Sequence, residues 1–280
     1  MTCPRIVFRA SCLLALCALL ALPALAQTTI RRGIDTFTTS ADGSTVVDFS
    51  SNPIPAGFFC TNSAPFAGVI PLKGVPLATA PAGITGGADT IVERIGDGIF
   101  TTTGTATFSV VLRALRLTGI NTITVDCSGV LTTWRADVCA CGLQPTGKLT
   151  AKIDPACGTC GTASGNLLIS ACIRFTRLDT GQTVGPITQN INLGVSNMNW
   201  CYKAGPGQTV VTASFGVDTN CDNQPDLTLP PMANFFPGRS CATQNADCWT
   251  VFAALTSCHE NYNNPDAHDH CVNPVCGRTQ

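Results

Sequence analysis

Thr105–Arg113 reads TATFSVVLR, and its alternation decides the fold class. Ala106, Phe108, Val110 and Leu112 share one face of an extended chain; Thr105, Thr107, Ser109 and Arg113 mostly take the other. A period of two with one apolar side marks a strand whose sheet is buried on one face and wet on the other. The pattern recurs downstream. Lys148–Ile153 sets Leu149, Ala151 and Ile153 between Lys148, Thr150 and Lys152. Asn166–Leu178 aligns Leu167, Ile169, Ala171, Ile173 and Phe175, and Asp179-Thr180-Gly181 follows as a turn. Asn121–Asp126 and Gly129–Val138 read as a hairpin about Ser128-Gly129, with Val130, Trp134 and Val138 inward. Shorter strands are predicted at Ser44–Ser50, Asp89–Ile95, Ile187–Leu193 and Thr209–Val217. In Asp89–Ile95, Ile91 and Ile95 share a face opposite Arg94. Asn52–Gly87, rich in Pro, Gly and Ala, reads as a long ordered loop pinned by Cys60. Together these predict an all-β protein of antiparallel β-sandwich units.

Composition agrees. Glutamate occurs only at Glu93 and Glu260 and lysine only four times, so strong helix formers are scarce. The first 26 residues read as an export signal: Arg5 and Arg9, an apolar core Leu13–Leu22, then Ala24-Leu25-Ala26 as a small-x-small cleavage site. Cys3, Cys12 and Cys17 leave with it, so fourteen of seventeen cysteines remain: Cys60, Cys127, Cys139, Cys141, Cys157, Cys160, Cys172, Cys201, Cys221, Cys241, Cys248, Cys258, Cys271 and Cys276. An exported chain with that many thiols belongs in an oxidising compartment, where they pair as disulfides. Without Arg5 and Arg9, 14 Lys and Arg stand against 17 Asp and Glu, which argues against nucleic acid. No mature stretch is long and apolar enough for a transmembrane segment. The organisation predicted is a signal peptide at 1–26, β-sandwich-like domains at 27–143 and 144–230, and a Cys-rich, partly helical extension at 231–280. The helix is placed at Asn245–Ser257.

Three clusters carry candidate chemistry. Asp218, Asn220, Asp222 and Asp226 place side-chain oxygens at positions 1, 3, 5 and 9 of a turn, a spacing that suits calcium. An Asx-rich turn explains the same residues. His259, His268 and His270 are the only histidines and lie close together between Cys258 and Cys271, a set that suits zinc or copper. Solvated polar loop residues are the alternative. Cys139-x-Cys141 with Cys157-x-x-Cys160 reads as two structural disulfides stapling the 139–165 connection, with structural zinc as the alternative. There is no G-x-S-x-G, HExxH or phosphate-binding glycine loop. Trp134 reads as core, and Trp200 as the better surface candidate for stacking on a sugar.

Two short resemblances add to this. The nine residues from Asp218 to Asp226 resemble the calcium loops of thrombospondin type 3 and dockerin-like repeats, although Asn223 replaces the usual glycine and no Glu follows at position 12. Gly87–Arg94 with Gly104–Val125 resembles uncharacterised secreted bacterial β-proteins, which implies a bacterial exported chain and no particular activity. The expectation is therefore a non-catalytic secreted or cell-envelope protein with a structural, adhesive or ligand-binding role. Its partner would be an extracellular surface, a glycan or another copy. The alternatives are a secreted metal-dependent enzyme using the histidine cluster, and a carbohydrate-binding module.

Overall fold

The computed structural model describes residues 29–77, 79–80, 86–205 and 208–239, and among them every regular element is a strand. In chain order these are β1 Thr29–Ile30, β2 Gly33–Phe37, β3 Val46–Asp48, β4 Val69–Gly74, β5 Thr79–Ala80, β6 Thr90–Arg94, β7 Gly98–Ile99 and β8 Thr105–Gly119. They continue as β9 Ile123–Cys127, β10 Val130–Ala140, β11 Thr146–Ile153, β12 Cys160–Arg177, β13 Thr183–Cys201, β14 Phe215–Val217, β15 Leu227–Leu229 and β16 Phe236–Pro237.

A meander of long antiparallel paths forms the frame. β10 pairs with β8 and then with β9, so these two are successive halves of one path. β12 likewise pairs with both β10 and β11. The order across the sheet is thus β8/β9, β10/β11, β12, β13. Ser128 and Gly129 make the first turn, both with positive φ (59° and 90°), which matches the twist of a tight hairpin. On the far side of β8 lie β6 and then β4. The boundary expected at 143/144 falls between β10 and β11, both of which pair with β8 and β12.

Alternation explains the burial. Ala106, Phe108, Val110 and Leu112 are all buried, as are Leu167, Ile169, Ala171, Ile173 and Phe175. A chain segment carrying Phe49, Ile54, Phe59 and Phe66 lies over this inner face. The Phe59 ring sits 5.0 Å from that of Phe175 and 5.4 Å from that of Trp134. Cys60–Cys127 pins that segment to β9, as its predicted anchoring requires. On the opposite face, Ile34, Ile91 and Ala114 meet Phe215, Val217 and Leu229 from the small β15-β14-β5 sheet. Two layers therefore cover the main sheet in part, in the manner of a sandwich.

Several predictions are corrected. β8 runs on to Gly119, because a bulge at Ile91/Val92 opposite Leu112 and Ala114 shifts the phase of the alternation. Asn52–Gly87 contains β4 and β5 rather than loop alone. In Thr209–Val217 only Phe215–Val217 is strand. Val130 is 60% exposed, because the hairpin tip projects past the point where β12 begins to pair, at Trp134. Arg94 lies opposite Ile91 and Ile95 as predicted, but it is Arg94 that is fully buried and Ile95 that is exposed. Arg94 is tolerated inside because Asp35 on β2 pairs with it, Arg31 O accepts from its Nε at 2.9 Å, and the Phe235 ring lies 5.1 Å away. Trp200 is also fully buried, stacked between Phe100 and Phe235, and so offers no platform for a sugar. The predicted signal, the helix at Asn245–Ser257, the histidines and Cys241, Cys248, Cys258, Cys271 and Cys276 lie outside the described residues.

Candidate functional site

Alternation turns one face of β8, β10 and β12 inward and leaves the other to build a surface. On that outer face the register aligns side chains into rows. Lys73 on β4 stands beside Thr118 on β8, Thr118 beside Asp137 on β10, and Asp137 beside Arg174 on β12. With strands about 4.8 Å apart, this row spans about 14 Å. The neighbouring row runs Arg116, Cys139, Cys172, Thr188, and on the other side Arg135 stands beside Thr176 and Thr176 beside Thr183. Four cations thus surround one carboxylate.

Most of these residues, Lys73 and Thr188 excepted, line a cleft of about 610 Å³, whose walls include Arg116, Arg135, Asp137, Arg174, Asn220 and Cys221. Asp137 is committed locally. Its Oδ1 accepts from Thr118 Oγ1 at 2.9 Å and from Arg135 Nε at 3.0 Å, and its Oδ2 lies 3.0 Å from Arg135 Nη2. Among the described residues Lys73, Arg116 and Arg174 form no ion pair. Guanidinium groups fixed on a sheet are suited to bidentate capture of phosphate, sulfate or carboxylate. Sequence reasoning missed the cleft because its residues are scattered from 75 to 221. Register alone brings them together.

Disulfides shape the walls. Cys139 bonds to Cys221, which ties the Asp218–Asp226 loop over the outer face, and Cys141 bonds to Cys172 across the strand interruption. Cys160 bonds to Cys201, directly opposite it on β13. Cys157 is also disulfide-bonded. The sulfurs of the 139–165 connection are therefore oxidised, yet Cys139, Cys141 and Cys160 reach partners outside it instead of stapling it internally. These sulfurs are thus engaged in disulfides rather than present as the thiolates that the zinc alternative needs. The Gln144 side chain completes the interruption, donating to Cys141 O and Ser170 O and accepting from Ser170 N.

The predicted calcium loop is folded around Asp218. Its Oδ1 accepts from the amides of Asn220, Cys221 and Asp222 at 3.2, 2.7 and 3.3 Å, and its Oδ2 from that of Asn223 at 2.8 Å. Asn220 and Asp222 accept from the amides of Asp222 and Gln224. Asp226 accepts from the Thr219 amide and hydroxyl. The oxygens thus act as Asx-turn acceptors, with Cys221 and Asn223 at positive φ. Among the described residues, no group of three or more His, Cys, Asp or Glu is arranged to hold a metal ion.

No helix of the described residues is long and apolar enough to cross a membrane. No family model, no curated protein and no solved structure matches the chain.

Proposed function

We propose that this is an exported, non-catalytic binding protein whose outer-face cleft holds an acidic glycan. One observation carries the reading: Arg116 and Arg174 line one cleft without a carboxylate partner among the described residues, and Asp137 is already engaged by Arg135 and Thr118. Unspent cations on a rigid sheet are pre-organised for an anion, so little ordering entropy opposes binding. Thr176 and Thr183 add hydroxyls suited to the sugar that carries the charge. Among the described residues no aromatic ring lines the cleft, which disfavours the base stacking that single-stranded nucleic acid uses. Export is consistent with the amino-terminal sequence and with disulfides that an oxidising compartment would preserve.

The test is calorimetric titration of the purified protein with a polyuronate, a phosphorylated glycan and a neutral glucan. The acidic polymers should bind, and more weakly as salt rises. Arg116→Gln/Arg174→Gln should lose affinity by about tenfold or more, since each charged hydrogen bond contributes about 1.5–3 kcal/mol. Equal binding of the neutral polymer, or an unaffected double variant, would sink the reading. Turnover of any of these polymers would overturn its non-catalytic part.

A further inference from the structure

β13 is the longest strand of the sheet, and it lies at the edge. One side pairs with β12 along its length. On the other side, among the described residues, it pairs only with β16, at Trp200 and Cys201. Gly238 N extends this contact by one hydrogen bond, to Asn199 O. Among the described residues, nothing pairs with the amides and carbonyls along the rest of that edge. Such edges are normally blunted by lysine, proline, bulges or a covering segment.

This edge carries few of those devices. No residue from Thr183 to Cys201 is charged. The two register irregularities lie opposite its ends, between Ala163 and Gly165 and between Ile173 and Phe175, and Pro186 precedes the straight run. Between them, Ile187–Val195 holds continuous register with β12 over nine residues and contains no proline. Ile187, Ile191 and Val195 are only partly covered by the core, since no strand of the described residues flanks them on the outer side. Thr188, Asn190 and Asn192 are exposed on the opposite face.

We infer that Ile187–Val195 is a self-pairing edge, through which two copies of this chain join their sheets antiparallel about a two-fold axis at Ile191. A second copy is the occupant the edge fits, for three reasons. An uncharged strand meets its own copy without like-charge repulsion. The spacing is self-complementary: Ile187 comes to lie beside Val195 of the second copy, and Ile191 beside its own counterpart, so the half-covered apolar side chains cover one another. A closed two-fold contact also consumes the edge, so growth stops at the dimer. In this arrangement the two sheets become one, and both cationic clefts lie on the same face. A polymer bound in one cleft could reach the other, which raises the effective concentration at the second.

The register supplies the test. Asn190 would sit beside Asn192 of the second copy. Asn190→Lys/Asn192→Lys therefore sets lysine against lysine, and Asn190→Glu/Asn192→Glu sets glutamate against glutamate. Sedimentation of the full chain should show a concentration-dependent dimer for the wild type and a monomer for either variant. Mixing the two variants should restore a dimer. Circular dichroism should be unchanged, because both positions are exposed. A wild type that stays monomeric at all concentrations overturns the inference, as does a dimer that both variants leave intact. Should the variants fail to fold, hydrogen exchange on the wild type decides: Ile187–Val195 amides must become more protected as concentration rises, and unchanged protection overturns the proposal.

Discussion

Arg94 shows what a single residue can hide in an alternating pattern. Its charge argues for the wet face, yet regular alternation along β6 sets Arg94 on the same side as the core residue Val92, towards Asp35 and Phe235. The period of DTIVERI places Arg94 opposite Ile91 and Ile95, as found, but does not show that a partner carboxylate on β2 makes the Arg94 side the buried one. Burial pushes the Asp35 carboxyl up to about 6, against the pull of Arg94. The sign follows from linkage. A carboxyl raised in the folded state favours folding in its protonated form, and that contribution fades as pH rises through about 6. Arg94→Met removes the partner and leaves Asp35 buried alone. At pH 7 the variant should be about 3–5 kcal/mol less stable than wild type. At pH 5 the isolated carboxyl can take a proton, so the deficit should shrink. Urea unfolding of both proteins at the two pH values checks this. An equal deficit at both would mean that the charge of Asp35 does not set the cost.

At the scale of elements, the hairpin, β11 and β12 were legible because period-two alternation survives wherever one face is buried. Trp134, Val138, Leu149, Ala151 and the run from Leu167 to Phe175 lie where that rule puts them. Val130 obeys the alternation too, but β12 does not reach the tip, which is flanked by β9 alone. The edge at β13 and the strand at β4 were harder, because Thr, Asn, Gly and Pro conceal the period. Cysteine pairing was not legible at all, since proximity in sequence says nothing about which strands the fold brings together. Gly161 is a further feature that only the structure explains. A Cβ there would lie 1.9 Å from Lys152 O, so β11 and β12 approach this closely only around a glycine. Gly165 meets Lys148 O in the same way at 2.2 Å. Gly161→Ala should therefore push the two strands apart and cost about 1–3 kcal/mol. Gly129→Ala, where added volume meets nothing within 4 Å, gives the contrasting case: its cost comes from the positive φ alone. Thermal unfolding of the pair, with hydrogen exchange along Lys148–Ile153, separates a clash between strands from simple strain. Loss of protection in that strand for Gly161→Ala only is the expected result.

Across the whole molecule, the disulfides divide into two jobs. Cys60–Cys127 holds the phenylalanine-rich segment over the core, where it closes a connection of 67 residues and does not line the cleft. Cys139–Cys221 closes one of 82 residues, and both of its cysteines line the cleft. Cross-links over connections this long stabilise mainly by restricting the unfolded chain, so each should contribute about 2–4 kcal/mol regardless of what it holds. Function should not follow stability in that indifferent way. Removing Cys139–Cys221 by a double change to alanine frees the Asp218–Asp226 loop from the sheet and loosens the wall beside Arg116. Removing Cys60–Cys127 likewise leaves that wall untouched. Both variants should therefore unfold at lower urea by similar margins, while only Cys139→Ala/Cys221→Ala loses affinity for the acidic glycan at a temperature where both remain folded. Equal losses of affinity would mean that the cleft depends on global rigidity rather than on its own wall. Unchanged affinity in both would place the binding surface elsewhere than in this cleft.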